Sequence, residues 1–250
     1  MVGKVESVSW DFGDEVFHFE CLIRRSSRAK RINLKVPEPR KVILTIPPWS
    51  SVAGGKEFLA QQKIWVREKS LQLPQPKTLA EYFLEEGSVW LDESPRQVTW
   101  SFDEKRKRPT QVIEPGLICF VFPDGVDLEI VLLKELMRLA QVYLKRRLAG
   151  CEENVQKRPL KCRIGNQSSR WGSCSGKGTI SLNWRILLLP FPLGNYVLYH
   201  ELAHLEHMNH SSQFWDYLDS LVPGAKKIDK ELMKCGKEII RLGLGRKWPG

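Results

Sequence analysis

The first half of the chain alternates apolar and polar positions, as strands with one buried face do. The alternation is clear in Val16-Phe17-His18-Phe19-Glu20-Cys21-Leu22 and again in Ile32-Asn33-Leu34-Lys35-Val36. The basic run between them is read as a hairpin tip. A third strand, Val42 to Ile46, is stopped by Pro47 and Pro48. A helix is expected from about Gly55 to Leu71, with Phe58 and Trp65 on one face. Two further hairpins are expected, around Asp92 to Pro95 and at Glu114-Pro115-Gly116. At Asp127, a good N-cap, the period changes: Leu128, Leu132, Leu136, Leu139 and Tyr143 form a helical stripe that Gly150 ends. Beyond it, Ser169 to Cys174 and Thr179 to Ile186 flank the turn Ser175-Gly176-Lys177-Gly178. A helix then runs from between Pro192 and Asn195 to about Met208. Ser211 caps another, with Phe214, Trp215, Leu218 and Leu221 buried, and a last one spans Ala225 to Leu242.

These elements give an α+β class in two parts. Residues 1–126 form a small antiparallel β-rich unit with one helix, and 127–250 a helical domain with a small antiparallel sheet. No internal repeat is visible.

Composition narrows the setting. No apolar h-region marks Met1 to Glu20, and the most apolar run, Ile186 to Leu193, is short and cut by two prolines, so a cytoplasmic protein without a membrane span is expected. Six scattered cysteines with no Cys-x-x-Cys pair read as reduced thiols; a Cys162–Cys174 bridge across strands is the less favoured alternative. A net charge of +10 favours acidic partners, nucleic acid among them. The charge concentrates in Arg24-Arg25-Ser26-Ser27-Arg28-Ala29-Lys30-Arg31, in Lys105-Arg106-Lys107-Arg108 and in Lys145-Arg146-Arg147. Solvated loops and helix faces explain these runs at least as well. Neither loop run has the interleaved aromatics of a single-strand binder.

The chemistry is concentrated in one stretch. Four of the five histidines fall within His200-Glu201-Leu202-Ala203-His204-Leu205-Glu206-His207-Met208-Asn209-His210. On a helix, His200 and His204 lie one turn apart on one face and can chelate a single metal, with Glu201 beside them to hold and deprotonate a water. A catalytic zinc takes three protein ligands and leaves one position open. His210 is the expected third, brought back by a chain reversal at Asn209 in the left-handed conformation that Asn tolerates. A later carboxylate, Glu231, is an alternative. His207 is another, though its Cα would lie roughly 10 Å along the helix axis from that of His200. An amphipathic helix with surface histidines is the bland reading.

Zinc with a carboxylate base makes peptide hydrolysis the natural reaction. A substrate backbone is expected to add along a strand edge near Thr179 to Arg185, with Arg170 and Asn183 as contacts. Tyr196, one turn before His200, is a candidate donor to the developing oxyanion. For Arg170 and Asn183 a structural hydrogen bond or ion pair, and for Tyr196 core packing, is the competing role.

Ser169-Arg170-Trp171-Gly172-Ser173-Cys174-Ser175, Ile180-Ser181-Leu182-Asn183-Trp184-Arg185, Tyr196-Val197, the histidine run, Asn209-His210-Ser211 and Phe214-Trp215 together resemble the YgjP-like metallopeptidase family. The likeness is close over 166–216 and weaker in the N-terminal part. It implies a zincin-like C-terminal domain, one Zn2+ on the residues matching His200, His204 and His210, Glu201 as catalytic base, and a protein or peptide substrate. More distantly the chain is similar to SprT-like proteases that act on DNA-linked proteins. The alternative function is a basic nucleic-acid-associated protein, either an SprT-like protease of DNA-linked proteins or a binding module with a structural zinc.

Overall fold

The computed structural model describes residues 3–73, 77–85 and 87–243. By its contacts the chain divides between Pro76 and Lys77 into two units.

In the first unit, β1 (Lys4–Asp11), β2 (Val16–Arg25), β3 (Asn33–Glu38) and β4 (Lys41–Ile46) form one sheet in the order β1-β2-β4-β3. Phe17, Phe19, Cys21 and Ile23 alternate on the buried face of β2, and Val42, Leu44 and Ile46 on that of β4. They pack with Leu59 of α1 (Val52–Gln61) and Val66 of α2 (Lys63–Gln72). Ser51 caps α1, its Oγ accepting from Gly54 N at 3.0 Å. Two expectations change here. The single helix is two, broken at Gln62, whose ψ is 19°. The hairpin expected between β2 and β3 does not form, because β4 lies between them, antiparallel to β3 and parallel to β2. The strand whose Val42, Leu44 and Ile46 are all fully buried takes the interior place, and the basic run becomes a crossover over its end.

The second unit opens with α3 (Leu79–Glu85), which periodicity did not reveal. A second sheet follows, β5 (Ser88–Trp90), β6 (Pro95–Asp103), β7 (Thr110–Glu114) and β8 (Leu117–Pro123), in the order β5-β6-β8-β7. Its β6/β8 pair is parallel, so the topology of the first sheet recurs, though no sequence repeat announces it. The turns at 91–94 and at Pro115-Gly116 are where the sequence placed them. Next, α4 (Leu128–Cys151) is capped by Asp127, whose Oδ1 accepts from Ile130 N at 3.2 Å. Then come β9 (Lys161–Gly165), β10 (Gly172–Cys174), β11 (Thr179–Asn183), α5 (Phe191–Ala203), α6 (Ser212–Leu221) and α7 (Ala225–Ile239).

One core joins Ile118, Phe120 and Phe122 of β8, Leu132, Leu136 and Leu139 of α4, Trp184, and Leu198 and Leu202 of α5. The second sheet thus buries its apolar face against the same helix that supports α5, and belongs to the same contact unit. Arg147 of α4 clamps the first turn of α5, donating to Asn195 Oδ1 at 2.8 Å and to Phe191 O at 3.2 Å.

The α+β class holds, with the second and third sheets built around helices. The small third sheet is not a simple hairpin, however, since its order is β10-β11-β9 with β9 parallel to β11. The strand expected to run to Ile186 stops at Asn183 and passes into a 3-10 turn, Trp184–Leu188. All six cysteines are free, with Cys21 and Cys151 buried and Cys235 exposed. No helix among the described residues is long and apolar enough to cross a membrane.

Candidate metal centre

The site is built on the last turn of α5. Pro192 sits in its first turn, where a missing N–H costs nothing, and Val197, Leu198 and Leu202 seat the helix in the core. The helix ends at Ala203, well before Met208, and His204 is its C-cap. Because it ends early, the chain turns back without a left-handed residue: Asn209 has no positive φ. Ser211 then caps α6, its Oγ accepting from Phe214 N at 3.4 Å. That cap fixes His210 just outside the helix and Phe214 in its first turn.

His200, His204 and His210 converge. Their ligand atoms lie within 4.8 Å of one another, the only such group of His, Cys, Asp or Glu among the described residues. His200 Nε2 and His210 Nε2 are 3.1 Å apart. Fully buried Phe214 stands against all three rings, with centroid distances of 5.1, 4.6 and 4.7 Å to His200, His204 and His210. His210 is exposed, so the group opens to solvent.

Hydrogen bonds set which nitrogens face inward. His204 Nδ1 is 2.9 Å from the carbonyl oxygen of His207 and donates to it, which leaves Nε2 as the lone-pair atom. His200 Nδ1 is 3.5 Å from the Tyr196 hydroxyl, which in turn donates to Asp229 Oδ1 at 3.0 Å. Burial, helped by the neighbouring His204 and His210, drives the His200 pKa down to about 3, and burial lowers that of His204. Both imidazoles are thus neutral at pH 7, the form in which an imidazole can ligate a metal.

Glu201 lies on the adjacent side of α5, only 5% exposed. Its Oε2 has no hydrogen-bond partner. Burial raises its pKa to about 8, opposed by the charge of Arg170. A cation held by the imidazoles would act in the same direction as Arg170. A Cβ placed on Gly172 of β10 would stand 2.5 Å from Glu201 Oε1 and 2.6 Å from its Cγ, so β10 approaches the carboxylate as closely as only glycine permits. Three converging imidazoles with a buried, unsatisfied carboxylate beside them fit a divalent metal of the borderline kind that zinc is.

The remaining sequence candidates lie elsewhere. Asn183 is fully buried and spent on structure, donating to Gln167 O and Arg170 O and accepting from Arg185 N, which leaves it no free face for a substrate. Tyr196 is 1% exposed and its proton goes to Asp229, so it supports His200 from behind and does not face an oxyanion. Arg170 is exposed at the mouth. The His207 ring lies 5.9 Å from Tyr217, and exposed Glu231 joins no metal-type group. The expected substrate edge also moves, because β11 is interior, paired on both sides; the free edge next to Glu201 belongs to β10. Reading the sequence missed Gly172, Asp229 and the role of Phe214. Only Gly172 carried a local signal, as an isolated glycine inside a strand pattern.

A family model described as "YgjP-like, metallopeptidase domain" matches residues 30–234. The crystal structure of the metallopeptidase zymogen of Pyrococcus abyssi abylysin is similar to this chain at 34% identity. It covers 42% of this chain and 95% of that one, with a TM-score of 0.30. No curated protein matches.

Proposed function

The chain belongs to the YgjP-like metallopeptidase family, and from that premise we propose a zinc-dependent peptidase in which His200, His204 and His210 hold one ion and Glu201 is the general base. The observation that carries the reading is the pairing of three converging imidazoles with a buried carboxylate that has one oxygen free.

Zinc in such a site supplies Lewis acidity, acidifying water and drawing charge from a substrate carbonyl. The protein supplies the rest. Glu201 Oε2, with no competing donor, accepts a proton from the attacking water as its oxygen bonds to the carbonyl carbon. When the C–N bond breaks, the same oxygen returns that proton to the leaving amine, so water is consumed and an acid and an amine are released. Gly172 holds the carboxylate in place by close approach, and Tyr196 and Asp229 hold His200. The substrate backbone adds to the free edge of β10, with Arg170 at the mouth. A structural zinc is closed by four protein ligands, and the described residues offer three, which favours catalysis over the alternative of a binding module with a structural ion.

The test is metal content and cleavage of a mixed fluorogenic peptide library, measured on the parent, Glu201→Gln and His210→Ala. Glu201→Gln is expected to keep its zinc and lose at least about a thousandfold in kcat, the scale of a removed base with its water contacts. His210→Ala is expected to lose zinc. Undiminished cleavage by Glu201→Gln, or parental zinc affinity in His210→Ala, overturns the assignment.

A further inference from the structure

We propose that the end of the first sheet where β2, β3 and β4 meet binds single-stranded nucleic acid, with Trp49 stacking on a base and the surrounding arginines and lysine contacting phosphates. The surface is absent from the sequence and made by the topology. Parallel pairing sets Arg25 opposite Ile46, and antiparallel pairing sets Asn33 opposite Thr45. Segments 26–32 and 47–51 therefore leave the sheet at the same end. Ser26 N donates to Ile46 O at 3.0 Å and Arg25 Nη1 to Pro48 O at 3.2 Å, which ties the two segments together. The basic run thus acquires an aromatic that stands eighteen positions beyond Arg31.

Charge argues for a polyanion. Arg24, Arg25, Arg28, Lys30 and Arg31 are all exposed, and none makes an ion pair among the described residues. Other cations of the same unit do pair, Lys41 with Glu38, Lys56 with Glu6 and Arg67 with Glu15. Between Cys21 and Lys56 the only acidic residue is Glu38, at the far end of the β3/β4 hairpin and held by Lys41. The first turn of α1, which follows Trp49, has no acidic residue either, so its N-terminal partial charge adds to the field.

Trp49 argues for a single strand. Its side chain is 72% exposed, although an indole is among the costliest groups to leave in water. Pro47 and Pro48 before it restrict the backbone and keep the ring presented. Stacking on a base plus contacts to phosphates is how sequence-tolerant single-strand binding works. A duplex hides its base faces from Trp49, and an acidic protein has no base to stack. This inference stands independently of the peptidase reading, since it uses no residue of the metal centre.

The test uses the full chain and fluorescence anisotropy with labelled oligo(dT) and oligo(U) strands of about 15 nucleotides, titrated from about 50 to 200 mM salt. Binding is expected for at least one strand, the two arms telling DNA from RNA, with log K falling by about 0.7 per phosphate contacted for each unit of log salt. Trp49→Ala, an exposed position that leaves the core intact, is expected to weaken binding about tenfold at an unchanged salt slope. Arg28→Ala with Lys30→Ala is expected to flatten the slope by about 1.4, two contacts at about 0.7 each. Absence of binding at low salt, or full affinity in Trp49→Ala, overturns the proposal. Displacement by polyglutamate as effective as by unlabelled strand overturns it too, and reassigns the surface to acidic proteins.

Discussion

The two four-stranded sheets repeat one topology, two hairpins joined so that their inner strands run parallel, yet their crossover ends differ in kind. In the first sheet the crossover carries Arg28, Lys30 and Arg31, and β4 exits beside it into Pro47-Pro48-Trp49, with no carboxylate in either segment. In the second, the crossover carries Lys105, Arg106, Lys107 and Arg108, and β8 exits beside it into Asp124 and Asp127. Asp103 and Glu104 stand at the base of the same loop, so its four cations have four carboxylates near them in sequence and register, and Arg106 is paired with Asp103 at 3.2 Å. The exposed aromatic there, Phe102, lies on the sheet 6.3 Å from Phe122 and not in a loop. Two basic runs that look alike in sequence thus differ in surroundings, one without a carboxylate in either segment and one with four close by. What decides is the neighbouring strand's exit, a non-local partner. The buried faces diverge as well: the second sheet shares its core with α4 and α5, the helix that carries the histidines, while the first packs on α1 and α2.

If chemistry belongs to the second unit and strand binding to the first, changes should separate by unit. Beyond Glu201 itself, the largest effect is expected from Gly172→Ala, whose new Cβ would stand 2.5 to 2.7 Å from Glu201 atoms and must displace the carboxylate. A displacement of about an ångström lowers kcat about a hundredfold, with zinc content and oligonucleotide affinity unchanged. Parental kcat would show that Glu201 does not need its place against β10. A smaller effect is expected from Tyr196→Phe, which removes the hydroxyl between His200 Nδ1 and Asp229. Zinc affinity measured by competition with a chromogenic chelator should fall about tenfold, the usual scale for an outer partner of a ligating imidazole. Asp229→Asn should do the same, and parental affinity in both would leave them a packing role.

The histidine cluster was legible because its geometry is local: four-residue spacing on one helix, then a short return capped by Ser211. Even there the helix ends earlier than periodicity suggested, because Leu205 to His207 keep an apolar and polar rhythm that the backbone does not follow. Asn183 and Tyr196 were found as members of the site's neighbourhood with an outward and a structural role both open, since sequence pattern reports proximity along the chain and not which face is buried. The interior place of β11, the insertion of β4 between β2 and β3, and the Asp229 contact all depend on segments distant in sequence. The two sheets show the same limit from the other side, because hairpins at Pro115-Gly116 and 91–94 were readable from their turns while the parallel β2/β4 and β6/β8 pairs were not.

The smallest effect is the most discriminating. Lys105→Ala with Lys107→Ala removes as much charge as Arg28→Ala with Lys30→Ala, so any long-range contribution of the protein's net charge of +10 is equal in the two double variants. Bulk electrostatics alone predicts equal losses of oligonucleotide affinity. Local contacts predict that the 105/107 variant stays within about twofold of the parent at about 150 mM salt, where the Debye length is about 8 Å, with its salt slope unchanged. A loss as large as that of the 28/30 variant would show that the two crossover ends are equivalent after all, and that the strand is drawn by the charge of the whole chain and not by the face beside Trp49.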